Sequence, residues 1–138
     1  MKKIIVHGIV AGIVMLIAGM VIGFVFNLIF PAIKLEYANA NLFRAWSEPL
    51  MSLYFLYPFL LGIALSWVWN KTKSLFTNPV VWKRGKHFGL AYWLVTTIPA
   101  MVITYSSFRL SLGMIFVWLV SGLVQTVLGG IILAKLNR

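Results

Sequence analysis

The sequence of 138 residues has no cysteine, only two acidic residues and few charges of any kind. The lack of cysteine excludes disulfide bonds, thiolate catalysis and cysteine-ligated zinc or iron–sulfur centres. Charged residues make up 10% of the chain, against roughly 25% in a typical soluble domain. So little charge also excludes an intrinsically disordered chain, because disordered segments are polar and highly charged.

The sequence is rich in apolar side chains. Hydrophobic residues account for 62% of the sequence, and the mean hydropathy is +0.97. A small soluble domain exposes too large a fraction of its surface to hide this much apolar area from water. The composition therefore predicts an all-α integral membrane protein, since the apolar runs do not alternate as the strands of a membrane barrel do.

Four apolar runs are long enough to cross a bilayer, which takes about 20 residues of helix. We expect them at about residues 4–30, 49–69, 88–105 and 110–134, which makes residues 1–138 a single transmembrane domain built as a four-helix bundle. The first run is about twice as long as the apolar part of a signal peptide. We therefore expect it to stay in the protein as an uncleaved span.

Lysine and arginine set the expected orientation, because they collect on the cytoplasmic side of a membrane. With the N-terminus inside, three basic residues lie outside: Lys34, Arg44 and Arg109. The other nine lie inside: Lys2, Lys3, Lys71, Lys73, Lys83, Arg84, Lys86, Lys135 and Arg138. This bias predicts that both termini are cytoplasmic, and we expect the cytoplasmic membrane of a prokaryote.

The net charge of +10 is explained by basic residues that flank membrane-spanning segments and face lipid headgroups. The basic residues flank apolar runs and do not form one polar face, so we expect no nucleic-acid partner. The inner basic loop at about residues 70–87 should instead lie against anionic lipid headgroups.

The first outer loop, at about residues 32–48, is predicted to contain a short amphipathic helix on the membrane surface. Four apolar residues recur there at helical spacing: Leu35, Ala38, Leu42 and Trp46. Polar residues fall off this stripe: Lys34, Glu36, Asn39 and Asn41. The loop is thus expected to rest its apolar stripe in the interface and to turn the polar residues to water.

Small residues form a face on the first and last spans. The residues predicted to pack helices closely are Gly8, Gly12, Gly19, Gly23, Gly122 and Gly130. Glycine lets two helix backbones approach, which is a main source of helix association in lipid. These faces favour packing within one chain, and pairing with a second copy or another membrane protein is the alternative. Gln125, the most deeply placed polar side chain, should bond another helix or a ligand.

Two prolines lie inside predicted helices at similar depth in the outer leaflet, Pro58 and Pro99. Each removes a backbone hydrogen bond, so the two helices could splay and open a polar pocket. The residues predicted to line this pocket are Asn27, Tyr54, Tyr57, Thr97, Tyr105, Arg109, Arg44 and Glu48. An ordinary interfacial role for the tyrosines is the alternative.

The function predicted from these features is a binding or transport module for a small or lipidic molecule that enters from the outer side. Ion-coupled transport is disfavoured, because no span has an ionisable residue near its centre. An accessory or oligomer-forming subunit and a lipid-modifying enzyme are the alternatives. The sequence shows no nucleophile with a base, phosphate loop or metal-ligand cluster, which disfavours an enzyme. We expect no cofactor, although His7 and His87 could share a haem or a metal near the inner surface.

Overall fold

All regular secondary structure in the part of the chain that the structure describes is helical. The computed structural model describes residues 1–137. The α-helices are α1 (Lys2–Ile29), α2 (Pro31–Tyr37), α3 (Leu53–Thr72), α4 (Val81–Ser107) and α5 (Leu112–Leu136). Two short 3₁₀ turns, Pro49–Ser52 and Lys73–Leu75, flank α3. Four of these helices (α1, α3 with its flanking turns, α4 and α5) are long and apolar enough to cross a membrane, which confirms the prediction of a helical membrane protein.

The helices extend further into the polar flanks than the apolar runs do. Only residues 76–80 of the predicted inner loop lie outside a helix or a 3₁₀ turn. Hydropathy marks where a helix meets hydrocarbon, but backbone hydrogen bonds continue into water beyond that point. At this end of α3, Thr72 also donates its hydroxyl to the Val68 carbonyl oxygen at 2.9 Å.

The spanning helices lie in the order α3, α1, α5, α4. α1 packs against both α3 and α5, and α4 packs against α5. Both chain ends lie at one end of the bundle, because Met1 and Asn137 line a common cleft there. We call this the terminal end and the other the opposite end; which of them faces the cytoplasm stays a prediction.

Glycines bring the helix backbones into direct contact in both outer pairs. A Cβ atom on Gly8 would lie 2.5 Å from the Ile63 Cα of α3, so a side chain has no room there. A Cβ atom on Gly89 would lie 2.6 Å from the Val127 Cα of α5. Each pair is therefore held by close backbone approach, as expected for helices in lipid.

Two apolar clusters fill the interior. The cluster nearer the terminal end is formed by Ala11, Met15, Leu65, Trp69, Phe88, Leu133 and Ala134. Here the Trp69 and Phe88 rings meet edge to face, with centroids 5.1 Å apart, and so connect α3 with α4. The cluster nearer the opposite end is formed by Ile33, Met114 and Val117. It joins α2 to α5, so the loop after α1 is part of the packed structure.

The loop between α1 and α3 differs from the predicted amphipathic helix. Its helical part, α2, has seven residues, and residues 38–48 form turns. Glu36, placed on the polar face by the sequence pattern, instead binds Ser111 in front of α5. The pattern of apolar residues could not show this contact, because the two residues are 75 positions apart. Whether the loop rests on the membrane surface stays a prediction.

Candidate functional site

The eight residues predicted to line an outer pocket lie in several different surroundings. Arg44 and Glu48 form an ion pair with an N–O distance of 2.9 Å, and both side chains are substantially exposed. The second Glu48 oxygen accepts a hydrogen bond from the Ala45 backbone at 3.2 Å. These two charges therefore satisfy each other within their own loop.

Most of the predicted pocket residues on α3 and α4 face outward. Tyr54 packs on Trp46, with ring centroids 5.3 Å apart, and both rings remain exposed. Tyr57 is 58% exposed and Tyr105 is 46% exposed. Rings at these positions can contact lipid, as aromatic side chains near membrane interfaces commonly do.

Three other residues of the predicted pocket have distinct environments. Thr97 lies against α5, where a Cβ on Gly122 would be 3.1 Å from its methyl group. Arg109 is exposed in the short turn between α4 and α5. The Asn27 side-chain oxygen is buried on α1 and has no hydrogen-bond partner in the described chain. None of the eight residues lines either of the two clefts described below at the terminal end.

The predicted packing glycines have partners inside this chain, with one exception. Gly8 and Gly12 face α3, and a Cβ on Gly19 would meet the Gln125 amide of α5 at 2.8 Å. Gly23 faces open space. Gln125 donates to Ser121 of its own helix at 3.2 Å, whereas the sequence predicted a bond to another helix or a ligand.

Three further glycines take part in the close contacts, and the sequence reasoning missed them. Gly62 faces Gly8 and Gly12, whereas Gly85 and Gly89 face the segment of α5 around Gly130. The spacing of four between Gly85 and Gly89 was a usable signal. Gly85 falls in the predicted inner loop, and Gly89 falls at the edge of the predicted span 88–105. The two glycines were therefore not expected to share one helix face.

A polar cleft of about 450 Å³ opens at the terminal end, between α1, the end of α3 and the end of α5. It is lined by Met1, Lys3, Ile4, His7, Asn70, Lys73, Leu136 and Asn137. From the sequence, Lys3 was expected only to mark the cytoplasmic side, and Lys73 was expected to lie in the basic loop against anionic headgroups. No sequence signal joined them, because the lining residues come from three distant segments that meet only in the folded bundle.

A hydrogen bond between the two chain ends forms one wall of this polar cleft. His7 donates from Nδ1 to the Asn137 side-chain oxygen at 3.0 Å. The Asn137 amide donates in turn to the Leu133 carbonyl oxygen at 3.1 Å. Both polar atoms of Asn137 are thus used inside the protein, and His7 keeps Nε2 free. His87 lies exposed on α4, and residues 1–137 contain no cluster of three or more metal-ligating side chains.

The polar cleft is positively charged and has no acidic residue in its lining. Lys3 and Lys73 supply two ammonium groups from different elements. Within the described residues the single ion pair is Arg44–Glu48, and Glu36 is bound to Ser111. The first turn of α1 has neither an acidic residue nor a capping side chain, so this helix end contributes a partial positive charge. The C-terminal ends of α3 and α5 lie at the same cleft and contribute partial negative charges, so the lysines are the main source of its positive field.

An apolar groove of about 300 Å³ adjoins the polar cleft. It is lined by Met1, Ile4, Ile5, Ile63, Ala64 and Trp67, on the surface between α1 and α3. Met1 and Ile4 line both cavities, so the polar cleft and the apolar groove are neighbours that share these two residues. The terminal end therefore presents a basic polar surface beside an apolar one.

Comparison with known proteins adds no relative. The chain matches no protein-family model, no curated protein and no solved structure. The function is therefore inferred from the chemistry of the polar cleft and the apolar groove.

Near the opposite end, the second apolar cluster holds a buried phenol. Trp118 donates from its indole nitrogen to the Tyr37 hydroxyl oxygen at 2.6 Å, and Phe43 packs beside both rings. Burial raises the pKa of the Tyr37 phenol above its ordinary value, and the bond from Trp118 partly offsets this rise. The phenol is thus a neutral packing group, since at physiological pH it stays protonated.

Proposed function

We propose that the protein is a binding module for an amphiphilic lipid with an anionic headgroup. The observation that carries this proposal is that the basic polar cleft and the apolar groove lie side by side and share Met1 and Ile4. The headgroup would lie between Lys3 and Lys73, and an acyl chain would follow the groove along Ala64 and Trp67. Each part of the ligand would then meet a surface of its own polarity.

The electrostatics support a lipid on the cytoplasmic side. In the predicted orientation, the terminal end faces the cytoplasmic leaflet, where anionic lipids create a negative surface potential. Neither Glu36 nor Glu48 lines the polar cleft, so an anionic lipid would supply a counter-charge for its lysines. Bringing one anion between two unpaired cations is favourable at a partly screened membrane surface.

This proposal keeps the class of function predicted from the sequence and moves the site to the other end of the bundle. A second ligand site near the opposite end stays a candidate, because the buried Asn27 oxygen has no donor in the described chain. A buried acceptor without a partner costs about 1–3 kcal/mol, and a bound molecule could supply the missing donor. Transport of the lipid, as distinct from binding, also stays a prediction.

The proposal is tested by filling the apolar groove. Ala64→Phe places a ring in the groove, whereas Leu60→Phe places the same ring one turn away on the exposed surface of α3. We expect Ala64→Phe to lower lipid retention about tenfold, because displacing two methylene groups at about 0.8 kcal/mol each has that effect. Native mass spectrometry from a mild detergent, with a defined anionic lipid added, measures the retained lipid.

The control variant makes this experiment decisive. Leu60→Phe should retain lipid as the unmodified protein does. Equal retention by all three proteins would show that the apolar groove holds no acyl chain. Equal loss in both variants would point to general binding on the helix surface, which contradicts the proposal as well.

A further inference from the structure

We infer that the headgroup in the polar cleft is a phosphomonoester, as in a phosphatidate, and not a phosphodiester or a zwitterion. This inference rests on the proposed function, since it names the chemical class of the same ligand. It follows from the balance of charges and of hydrogen-bond donors in the lining of the polar cleft.

The lining carries at least two cations, which favours a dianion over a monoanion. Lys3 lies in the first turn of α1 and Lys73 in the 3₁₀ turn after α3, so the two ammonium groups approach the polar cleft from different elements. Among residues 1–137, no Asp or Glu lines the polar cleft. A phosphomonoester carries about −1.5 to −2 charges at pH 7. A phosphodiester carries one and would leave a lysine without a counter-charge.

The hydrogen-bonding groups of the lining are mainly donors. Each lysine offers three N–H donors and no acceptor. The Asn137 oxygen, which would otherwise accept, is occupied by His7, and the amide of the same residue is occupied by Leu133. The three terminal oxygens of a phosphomonoester accept without donating once the group is fully ionised, which suits this lining.

The same lining disfavours headgroups that carry an ammonium or several hydroxyls. A choline or ethanolamine headgroup needs a carboxylate or an aromatic ring to receive its positive charge. The residues that line the polar cleft include neither. A glycerol or sugar headgroup brings hydroxyl donors, and for these the described lining offers few side-chain acceptors, namely the Asn70 amide oxygen and His7 Nε2.

The test compares lipids that differ only in the headgroup. Dioleoyl phosphatidate, dioleoyl phosphatidylglycerol and dioleoyl phosphatidylcholine are added in equal amounts at pH 7.5, and native mass spectrometry records which is retained. We expect phosphatidate to exceed phosphatidylglycerol about tenfold, as one additional charge-assisted hydrogen bond would give. Phosphatidylcholine should be retained least.

Charge-matched variants assign the preference to the polar cleft. The double variant Lys3→Gln/Lys73→Gln should bring the ratio of phosphatidate to phosphatidylglycerol close to one. The double variant Lys83→Gln/Lys86→Gln removes the same charge from exposed positions on α4 outside the polar cleft and should leave the ratio unchanged. An unchanged ratio in the first variant, or an equal loss in both, would overturn the inference.

Two further outcomes separate this inference from the proposed function and from a soluble ligand. Equal retention of phosphatidate and phosphatidylglycerol, with both reduced by Ala64→Phe, would overturn the phosphomonoester and keep the lipid site. Retention that Ala64→Phe leaves intact would overturn both. Inorganic phosphate, added as a competitor, should displace phosphatidate weakly because it lacks the acyl chain; displacement at equal concentration would identify free phosphate as the ligand.

Discussion

Glu36 joins two helices through a single carboxylate. One oxygen accepts from the Ser111 backbone at 2.7 Å, and the other accepts from the Ser111 hydroxyl at 2.5 Å. That hydroxyl also accepts from the Met114 backbone at 3.1 Å and so caps α5. A negative charge at the N-terminus of a helix is stabilised by the helix dipole. The other acidic residue, Glu48, forms an exposed ion pair with Arg44, which contributes little.

The two acidic residues should therefore differ in their effect on stability. Glu36→Gln removes the charge and keeps the shape, and we expect it to lower the free energy of unfolding by about 1–2 kcal/mol. Glu48→Gln should change it by at most about 0.5 kcal/mol. Unfolding in mixed micelles, followed by circular dichroism, measures both. Equal effects would contradict the capping role of Glu36.

At the level of helices, the two outer pairs use the same packing device. Two glycines four residues apart on one helix meet a glycine on the antiparallel partner. In α1 and α3 these are Gly8 and Gly12 against Gly62. In α4 and α5 they are Gly85 and Gly89 against Gly130. Because backbone touches backbone, the neighbours cannot move aside as a flexible side chain would.

Substitution by valine should distinguish a glycine that contacts another helix from one that does not. Gly89→Val places a branched side chain against the α5 backbone, and we expect a loss of about 3 kcal/mol in the free energy of unfolding. Gly23→Val places the same side chain in open space and should be nearly neutral. The mixed-micelle unfolding experiment serves here too. A destabilising Gly23→Val would show that this face has a partner, such as a second copy.

Sequence patterns predicted the four long helices but not which residues meet at the terminal end, for physical reasons. Length and apolarity define a span locally, so the four spans could be predicted. The polar cleft depends on His7 meeting Asn137 across 130 positions, and helical periodicity does not specify such a meeting. Asn27 and Tyr57 share a similar expected depth, but depth does not decide which helix faces which. The structure instead leaves Asn27 partly buried and Tyr57 exposed.

At the scale of the whole molecule, the two acidic residues lie at one end and most of the basic residues lie at the other. Both acidic residues lie near the opposite end, and each is engaged there by a neighbouring group. Lys3 and Lys73 lie at the terminal end, where no acidic residue lines the polar cleft. Such a distribution favours the terminal end on the cytoplasmic side.

The absence of cysteine from the sequence makes this orientation easy to test. Ser74→Cys introduces a thiol at the terminal end, and Asn41→Cys introduces one at the opposite end, both at exposed positions. In intact cells, a membrane-impermeant maleimide should label Asn41→Cys and leave Ser74→Cys unlabelled until the membrane is opened. The reverse pattern would show that the termini are outside.

The order of the helices also bears on how the chain is made. α1 lies between α3 and α5, yet α5 leaves the ribosome after α3 and α4. The face of α1 that carries Met15 and Gly19 therefore has lipid tails as its neighbours while α3 and α4 are synthesised. When α5 inserts, it must displace those lipid tails and cover the face of α1 that carries Met15 and Gly19. A nascent chain halted before residue 112 would hold its first hairpin in place and keep this face open to the bilayer.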